Sequence, residues 1–261
     1  MIPYLGNKSQ ISDFIKQYLP KNPNKWVEPF GGGFGLYFTL DFKDYQDTQF
    51  VYNDINPLNC NLFEQFKDTK FLDRIKSTNV NKETFEKAYS DIIDVEIEKK
   101  GKKTLKVAKT EDKALSWLII LCCGDTKDLM SKEYKGNSAF EILKYKLPRY
   151  SEYFKRIEIS NLDYKDVIKN HDSEDTFFYL DPPYVGYENY YYHNSFSGDS
   201  HSELSQVLKS IKGKWLLSYY RFDKLMDWYS NYKIVSQKTI MSEEFLVLGH
   251  TNSLTSPNQQ V

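Results

Sequence analysis

Four apolar residues, Phe177-Phe178-Tyr179-Leu180, run directly into Asp181-Pro182-Pro183-Tyr184, and this junction constrains the fold more than any other stretch of the chain. The apolar run reads as a buried strand, and proline, which has no N–H to give to a sheet ladder, ends it at once. Asp181 therefore stands at a strand's carboxyl end. In open α/β sheets ligands bind in the crevice beyond those ends, so an acid, a rigid diproline turn and an exposed tyrosine form a candidate site there. Taken alone, the same residues also make an ordinary strand-to-loop turn, since Asp and Pro are common turn residues.

A second junction of the same kind lies near the start. Lys25-Trp26-Val27-Glu28 followed by Pro29-Phe30-Gly31-Gly32-Gly33-Phe34-Gly35 predicts a short strand, a glycine-rich turn and a helix beginning at Leu36-Tyr37-Phe38. Glycines let backbone pass close to a ligand where a Cβ would clash. Phe50-Val51-Tyr52 predicts the next strand, ending at Asn53-Asp54-Ile55-Asn56, with Asp54 21 residues after Gly33. An acid at that distance suits a nucleoside-binding fold, where its carboxylate accepts from both ribose hydroxyls. Further strands are predicted at 156–159, 214–219, 233–241 and 245–249. A short helix is predicted at 222–229, and another near 201–212, whose Leu204, Val207, Leu208 and Ile211 make a one-faced stripe. Residues 67–153 are charged and helical in pattern, with Leu115 to Leu121 their one strongly apolar block. The expected fold is α/β: a doubly wound, Rossmann-like sheet, mostly parallel with antiparallel closing strands. Residues 1–66 and 154–261 would build it, and residues 67–153 would form an inserted, mainly helical domain.

Length and composition narrow the class further. With 261 residues, 40% hydrophobic and 16% aromatic, the chain can fill a core. No apolar stretch approaches the roughly 20 residues needed to cross a bilayer. The first residues lack the basic segment and apolar block of a secretory signal, so a cytoplasmic location is expected. Three cysteines, Cys60, Cys122 and Cys123, are an odd count with no metal-ligand spacing. They read as core residues, with no metal site. The net charge of −1 conceals seven lysines at 99, 100, 102, 103, 106, 109 and 113. That run could neutralise nucleic-acid phosphates or form a solvated loop. The last dozen residues, rich in Asn, Ser and Gln, read as a mobile tail.

Taken in order, these segments resemble the Dam-type family of DNA adenine-N6 methyltransferases. Tyr4-Leu5-Gly6-Asn7-Lys8 is similar to the family's N-terminal Gly-x-Lys motif, and Val27 to Gly33 to its cofactor loop. Tyr52 to Asn56 resembles its ribose motif, Asp181 to Tyr184 its catalytic DPPY motif, and Phe196, His201 to Leu204 and Leu217 to Tyr219 its downstream elements. The resemblance implies a methyltransferase fold with S-adenosylmethionine as methyl donor and no metal. It implies DNA, double-stranded with the target adenine flipped out, as substrate, a target-recognition role for residues 67–153, and a monomer or weak dimer. Tyr4, Lys8, Glu28, Pro29, Phe30, Gly31, Gly33, Asp54, Asp163, Tyr164 and Asp181 are the implied cofactor residues. Asp181, Pro182 and Tyr184 are the implied catalytic ones.

Chemistry explains why those residue types belong together. Adenine's amino nitrogen is a poor nucleophile because its lone pair is delocalised into the ring. The Asp181 carboxylate and the Pro182 carbonyl, each accepting an amino hydrogen, would localise and aim that lone pair. Tyr184 would stack on a base that has left the duplex, where its amino group is otherwise out of reach. Asp163 also suits a helix cap. Tyr187, Tyr190, Tyr191 and Tyr192 are candidates to clasp the base, DNA backbone or core, and His201 reads as a helix N-terminal residue.

The inserted segment departs from the Asn-Gly and Phe-Asn-Val-Pro signatures of many GATC-specific members, which leaves the target sequence open. Asn137, Lys144, Lys146 and Arg149 are its candidate base readers. Cytosine-N4 or RNA amino methylation and a catalytically silent DNA-binding subunit remain as rival readings. Carbon-5 methylation is disfavoured by the absence of a Pro-Cys pair. A nucleotide-dependent dehydrogenase leaves Asp181 to Tyr184 unexplained.

Overall fold

The structure, a computed structural model, describes residues 2–93, 96–99, 102–105, 108–125, 132–188, 196–239 and 242–249. Among these the strands are β1 (Lys25–Glu28), β2 (Gln49–Asn53), β3 (Glu96–Lys99), β4 (Lys102–Leu105), β5 (Ile157–Ser160), β6 (Thr176–Leu180), β7 (Lys214–Tyr220), β8 (Lys233–Lys238) and β9 (Glu243–Leu248). Seven of them form one sheet in the order β5-β2-β1-β6-β7-β9-β8. Pairing is parallel from β5 through β7 and antiparallel for β9 with both β7 and β8. This is the mostly parallel, Rossmann-like sheet with antiparallel closing strands that the sequence predicts. β1 and β6 are neighbours, with Val27 opposite Phe178, although most of the chain separates them. One half of the sheet grows outward from β1 and the other from β6, so the crevice between their carboxyl ends is the topological switch point.

Alternation of side chains divides the core into two layers. Phe177 and Tyr179 of β6 join Trp26, Tyr52 and Leu216 beneath the sheet. Phe178 and Leu180 join Val27, Val51, Trp215 and Leu217 above it. The upper layer is closed by the helices Tyr164–His171 and Gly198–Ser210, whose Val167, Ile168, Leu204 and Leu208 are buried there. Beneath, Phe66, Phe71, Trp117, Phe140 and Phe154 share one apolar cluster with Trp26 and Phe177. The helices Thr69–Ser77, Lys82–Ile93, Glu111–Cys123 and Ser138–Lys146 fall within 67–153, together with the β3–β4 hairpin, and Ser151–Phe154 straddles its end. Their buried side chains are thus continuous with those under the sheet. All three cysteines are buried and free. No helix among the described residues is long and apolar enough to cross a membrane.

Several local expectations change. The helix predicted from Leu36 is a single 3-10 turn, Tyr37–Thr39. Phe34, Tyr37 and Phe38 are all buried, with Phe34 stacked on Tyr37 at 4.3 Å, and such a run has no solvent face for an amphipathic helix to present. The predicted helix over 222–229 is one turn, Leu225–Trp228. An unpredicted helix, Pro57–Gln65, starts at Asn56, whose side chain accepts from Leu58 N–H. The predicted tail, the last dozen residues, lies outside the described residues.

Gly249 closes the antiparallel edge, donating its N–H to Trp215 O at 2.8 Å. A Cβ there would meet the Trp215 ring at 2.1 Å. Gly249→Ala is expected to cost about 1–3 kcal/mol through overpacking, read as a lower urea midpoint at constant slope. An unchanged midpoint would mean that the indole gives way without cost.

Candidate active site

Carboxylates at or just beyond the ends of four adjacent parallel strands converge on one cavity: Glu28 from β1, Asp54 beyond β2, Asp163 beyond β5 and Asp181 beyond β6. The loop after β1 is its floor, and β2 fixes that loop residue by residue. Tyr52 Oη donates to Gly32 O at 2.8 Å, Asn53 Nδ2 donates to Pro29 O at 2.9 Å, and Gly32 N–H donates to Asp54 Oδ2 at 2.7 Å. Gly31 N–H donates in turn to Asn53 O at 2.7 Å. Gly32 has φ +48°, a conformation glycine adopts at little cost, and a Cβ on Gly31 would lie 2.2 Å from the Tyr52 ring. Phe34 follows at φ +53°, a strained angle for a bulky residue, held by complete burial and by its N–H bond to Gly31 O.

The N-terminal segment closes over this loop and brings Lys8 to Asp181. Lys8 Nζ lies 2.8 Å from Asp181 Oδ2, donates to Gly6 O at 2.7 Å and stands 4.8 Å from the Tyr184 ring centroid. Burial raises the Asp181 pKa to about 6; Lys8 opposes the rise and the nearby Glu244 adds to it. Burial also lifts Glu28, against a 3.0 Å hydrogen bond from Trp26 Nε1. Asp54 rises for the same reason, offset by the N–H groups of Asn56 and Gly32 and by the Asn59 side chain. Across the cavity Phe30, Tyr164 and Phe196 form an aromatic corner, with centroids 5.1 to 5.6 Å apart.

All eleven cofactor residues named from the sequence line this cavity: Tyr4, Lys8, Glu28, Pro29, Phe30, Gly31, Gly33, Asp54, Asp163, Tyr164 and Asp181. Asp163 also caps the helix Tyr164–His171, accepting from Lys165 N–H at 2.9 Å. Pro182 and Tyr184 are buried behind Asp181. Tyr184 is 6% exposed, contrary to the exposed tyrosine expected, because its hydroxyl bonds Ser218 at 3.1 Å and Glu244, and its ring packs against Tyr220. His201 is no simple helix-start residue. It is 1% exposed, with Nδ1 2.7 Å from Tyr219 Oη and Nε2 2.8 Å from Glu188 Oε1, so it ties the segment after the DPPY turn to β7. Tyr187 is 48% exposed, whereas Tyr190, Tyr191 and Tyr192 lie outside the described residues.

Two of the candidate base readers are engaged internally. Asn137 Nδ2 donates to Val80 O at 2.8 Å, and Lys144 is 6% exposed and paired with Glu141 at 3.2 Å. Lys146 and Arg149 are exposed, as are Ile142 and Tyr145, unnoticed in the sequence; offsets of 3 and 4 from Ile142 put Tyr145 and Lys146 on its side of the helix Ser138–Lys146, and Arg149 lies in the 3-10 turn that follows. Of the lysine run, Lys99, Lys102 and Lys103 belong to the hairpin and Lys109 is exposed. Lys113 Nζ donates to Asp91 O at 2.6 Å, and Lys100 and Lys106 lie outside the described residues. No group of His, Cys, Asp and Glu among the described residues is arranged to hold a metal.

Comparison with known proteins bears on this geometry. The Type II methyltransferase M1.LlaDCHI of Lactococcus lactis subsp. cremoris is 25% identical over 227 residues, spanning 81% of this chain and 76% of its own length. Residues 4–242 match the family model described as D12 class N6 adenine-specific DNA methyltransferase, from the Tyr4 segment through the cofactor-loop and DPPY junctions. The chain belongs to that family of adenine-specific DNA methyltransferases.

Proposed function

We propose that this enzyme transfers a methyl group from S-adenosylmethionine to N6 of an adenine flipped out of a specific DNA site. The observation that carries this reading is the placement of Asp181 at the end of β6, facing the same cavity as the glycine loop and Asp54. The cavity's own residues suit the donor. Glu28, Asp54 and Asp181, all lifted by burial, favour a ligand bearing a sulfonium and an ammonium. Phe30, Tyr164 and Phe196 offer flat faces to an adenine ring, and Asn56 Nδ2 and Tyr164 Oη are buried without a hydrogen-bond partner among the described residues. When bound, S-adenosylmethionine supplies an electrophilic methyl group whose S–C bond breaks as the N–C bond forms.

The chain's residues then have separable tasks. Lys8 shields Asp181 in the free enzyme, and an entering base replaces that ammonium with its own amino group. Asp181 and the Pro182 carbonyl accept hydrogen bonds from the two amino hydrogens, which turns the nitrogen lone pair toward the methyl group, and the proton that the methylated nitrogen must lose passes to solvent. Tyr184 supplies the stacking face over which Lys8 now stands, its ring held by Glu244 and Ser218. Residues 67–153 form the recognition segment, with the β3–β4 hairpin lysines on phosphate and Lys146 and Arg149 among its exposed contacts.

Labelled methyl transfer to unmethylated genomic DNA, with nucleoside analysis, tests the whole reading: N6-methyladenine at one short sequence is expected, and cofactor binding without transfer would indicate a silent subunit. Asp181→Ala should lower the transfer rate on the order of 10²–10³-fold. Because an acceptor must be ionised, kcat/KM should fall as pH drops below about 6, where Asp181 protonates; a profile flat to pH 5 would remove it from that role. Asp54→Ala should weaken cofactor binding more than DNA binding, and equal cofactor affinity in titration would sink the ribose assignment. Replacing Lys99, Lys100, Lys102 and Lys103 with Ala should reduce the salt slope of DNA binding by about 0.9 per lost phosphate contact, whereas an unaltered slope would leave the hairpin solvated.

A further inference from the structure

Asn59 lies in the helix Pro57–Gln65, 1% exposed, at a junction between three parts of the chain. Its Oδ1 accepts from Trp117 Nε1 at 2.8 Å, and Trp117 belongs to the helix Glu111–Cys123 in the middle of residues 67–153. On its other side Nδ2 donates to Tyr4 Oη at 3.0 Å, and the nearby amide favours the charged form of Asp54. Tyr4 in turn backs the glycine loop: a Cβ on Gly32 or Gly33 would stand 3.0 or 2.6 Å from its side chain.

The chemistry of the partners makes this arrangement directional. An indole N–H can only donate, so one orientation of the amide satisfies it. With oxygen toward Trp117, the NH₂ group is left to donate to Tyr4. Flipped, it would set an NH₂ against the indole N–H, leaving two buried donors opposed.

Resting on the donor reading above, we infer that Asn59 is a positioning residue for the cofactor pocket and that Trp117, from the recognition segment, sets its orientation. Asn59 holds Tyr4 in register with the glycine loop, and the indole N–H prevents the amide from turning over. Through these bonds the helix that follows the lysine hairpin reaches the cofactor floor.

The test is a double-mutant cycle on the full chain with S-adenosylhomocysteine as the probe, its affinity measured by calorimetry, followed by steady-state kinetics. Asn59→Leu should weaken the probe by about 10- to 100-fold and Trp117→Phe, which removes the indole N–H together with its five-membered ring, by about 3- to 10-fold. The double variant should bind no more weakly than Asn59→Leu alone, because the indole acts through the amide. Losses should fall on the cofactor KM more than on kcat. If Asn59→Leu does not fold, Trp117→Phe still decides. Unchanged affinity in that variant, or losses that simply add, overturns the relay and leaves the proposed reaction standing. A wild-type chain that binds neither the probe nor S-adenosylmethionine overturns both.

Discussion

Hydrogen bonds from the last residues of β2 to the loop after β1 are the constraint on which the site depends. Tyr52, Asn53 and the adjoining Asp54 hold a carbonyl, a carbonyl and an N–H of that loop in succession. Asn53 reaches the other way as well, donating to Leu162 O at 3.0 Å and accepting from Leu162 N–H at 2.9 Å and from Ser160 Oγ at 2.8 Å. One buried amide therefore sets the spacing between the glycine loop and the segment carrying Asp163 and Tyr164. Because the loop's own partners in these bonds are backbone groups, the side chains that face the cavity are left for ligand contact. Asp54 is the exception, since it both fastens the loop and lines the cavity.

The carboxylates that ring the cavity would repel one another if all were ionised and unpaired. Burial raises the pKa values of Glu28, Asp54 and Asp181, and hydrogen bonds or Lys8 oppose the rise. A cationic ligand gains from this arrangement, and a phosphate-bearing nucleotide would be opposed by it. The same electrostatics separate this loop from a dinucleotide site despite their shared strand-turn pattern. A phosphate-binding turn needs a helix N-terminus behind it, and here the loop leads only to a 3-10 turn.

Much of this was legible in the sequence where residue chemistry was local. The apolar run before Asp181 and the glycines after Glu28 marked strand ends, and the order of motifs located the cavity-lining residues. What could not be read depended on partners distant in the chain. Tyr184 was expected to be exposed because Pro-Pro-Tyr is turn-like, yet Glu244, 60 positions away, draws its hydroxyl inward. His201 pairs with Glu188 and Tyr219, and Asn59 with Trp117, through contacts that carry no periodic or motif signal. Asn137 looked like a base reader by residue type alone, and only its bond to Val80 O, 57 positions away, shows it engaged within the fold.

The pairing of β1 with β6 also bears on how the molecule comes into being. Val27 meets Phe178 across more than half the sequence, a contact whose loop-closure entropy makes it slow to form. Glu28 and Asp181 face each other only once that long-range pairing is complete. A partly folded chain, however helical, has no cavity floor and no acid opposite it. Ligand affinity would then report completed folding, and a bound methyl donor would stabilise the finished sheet by mass action rather than guide its early steps.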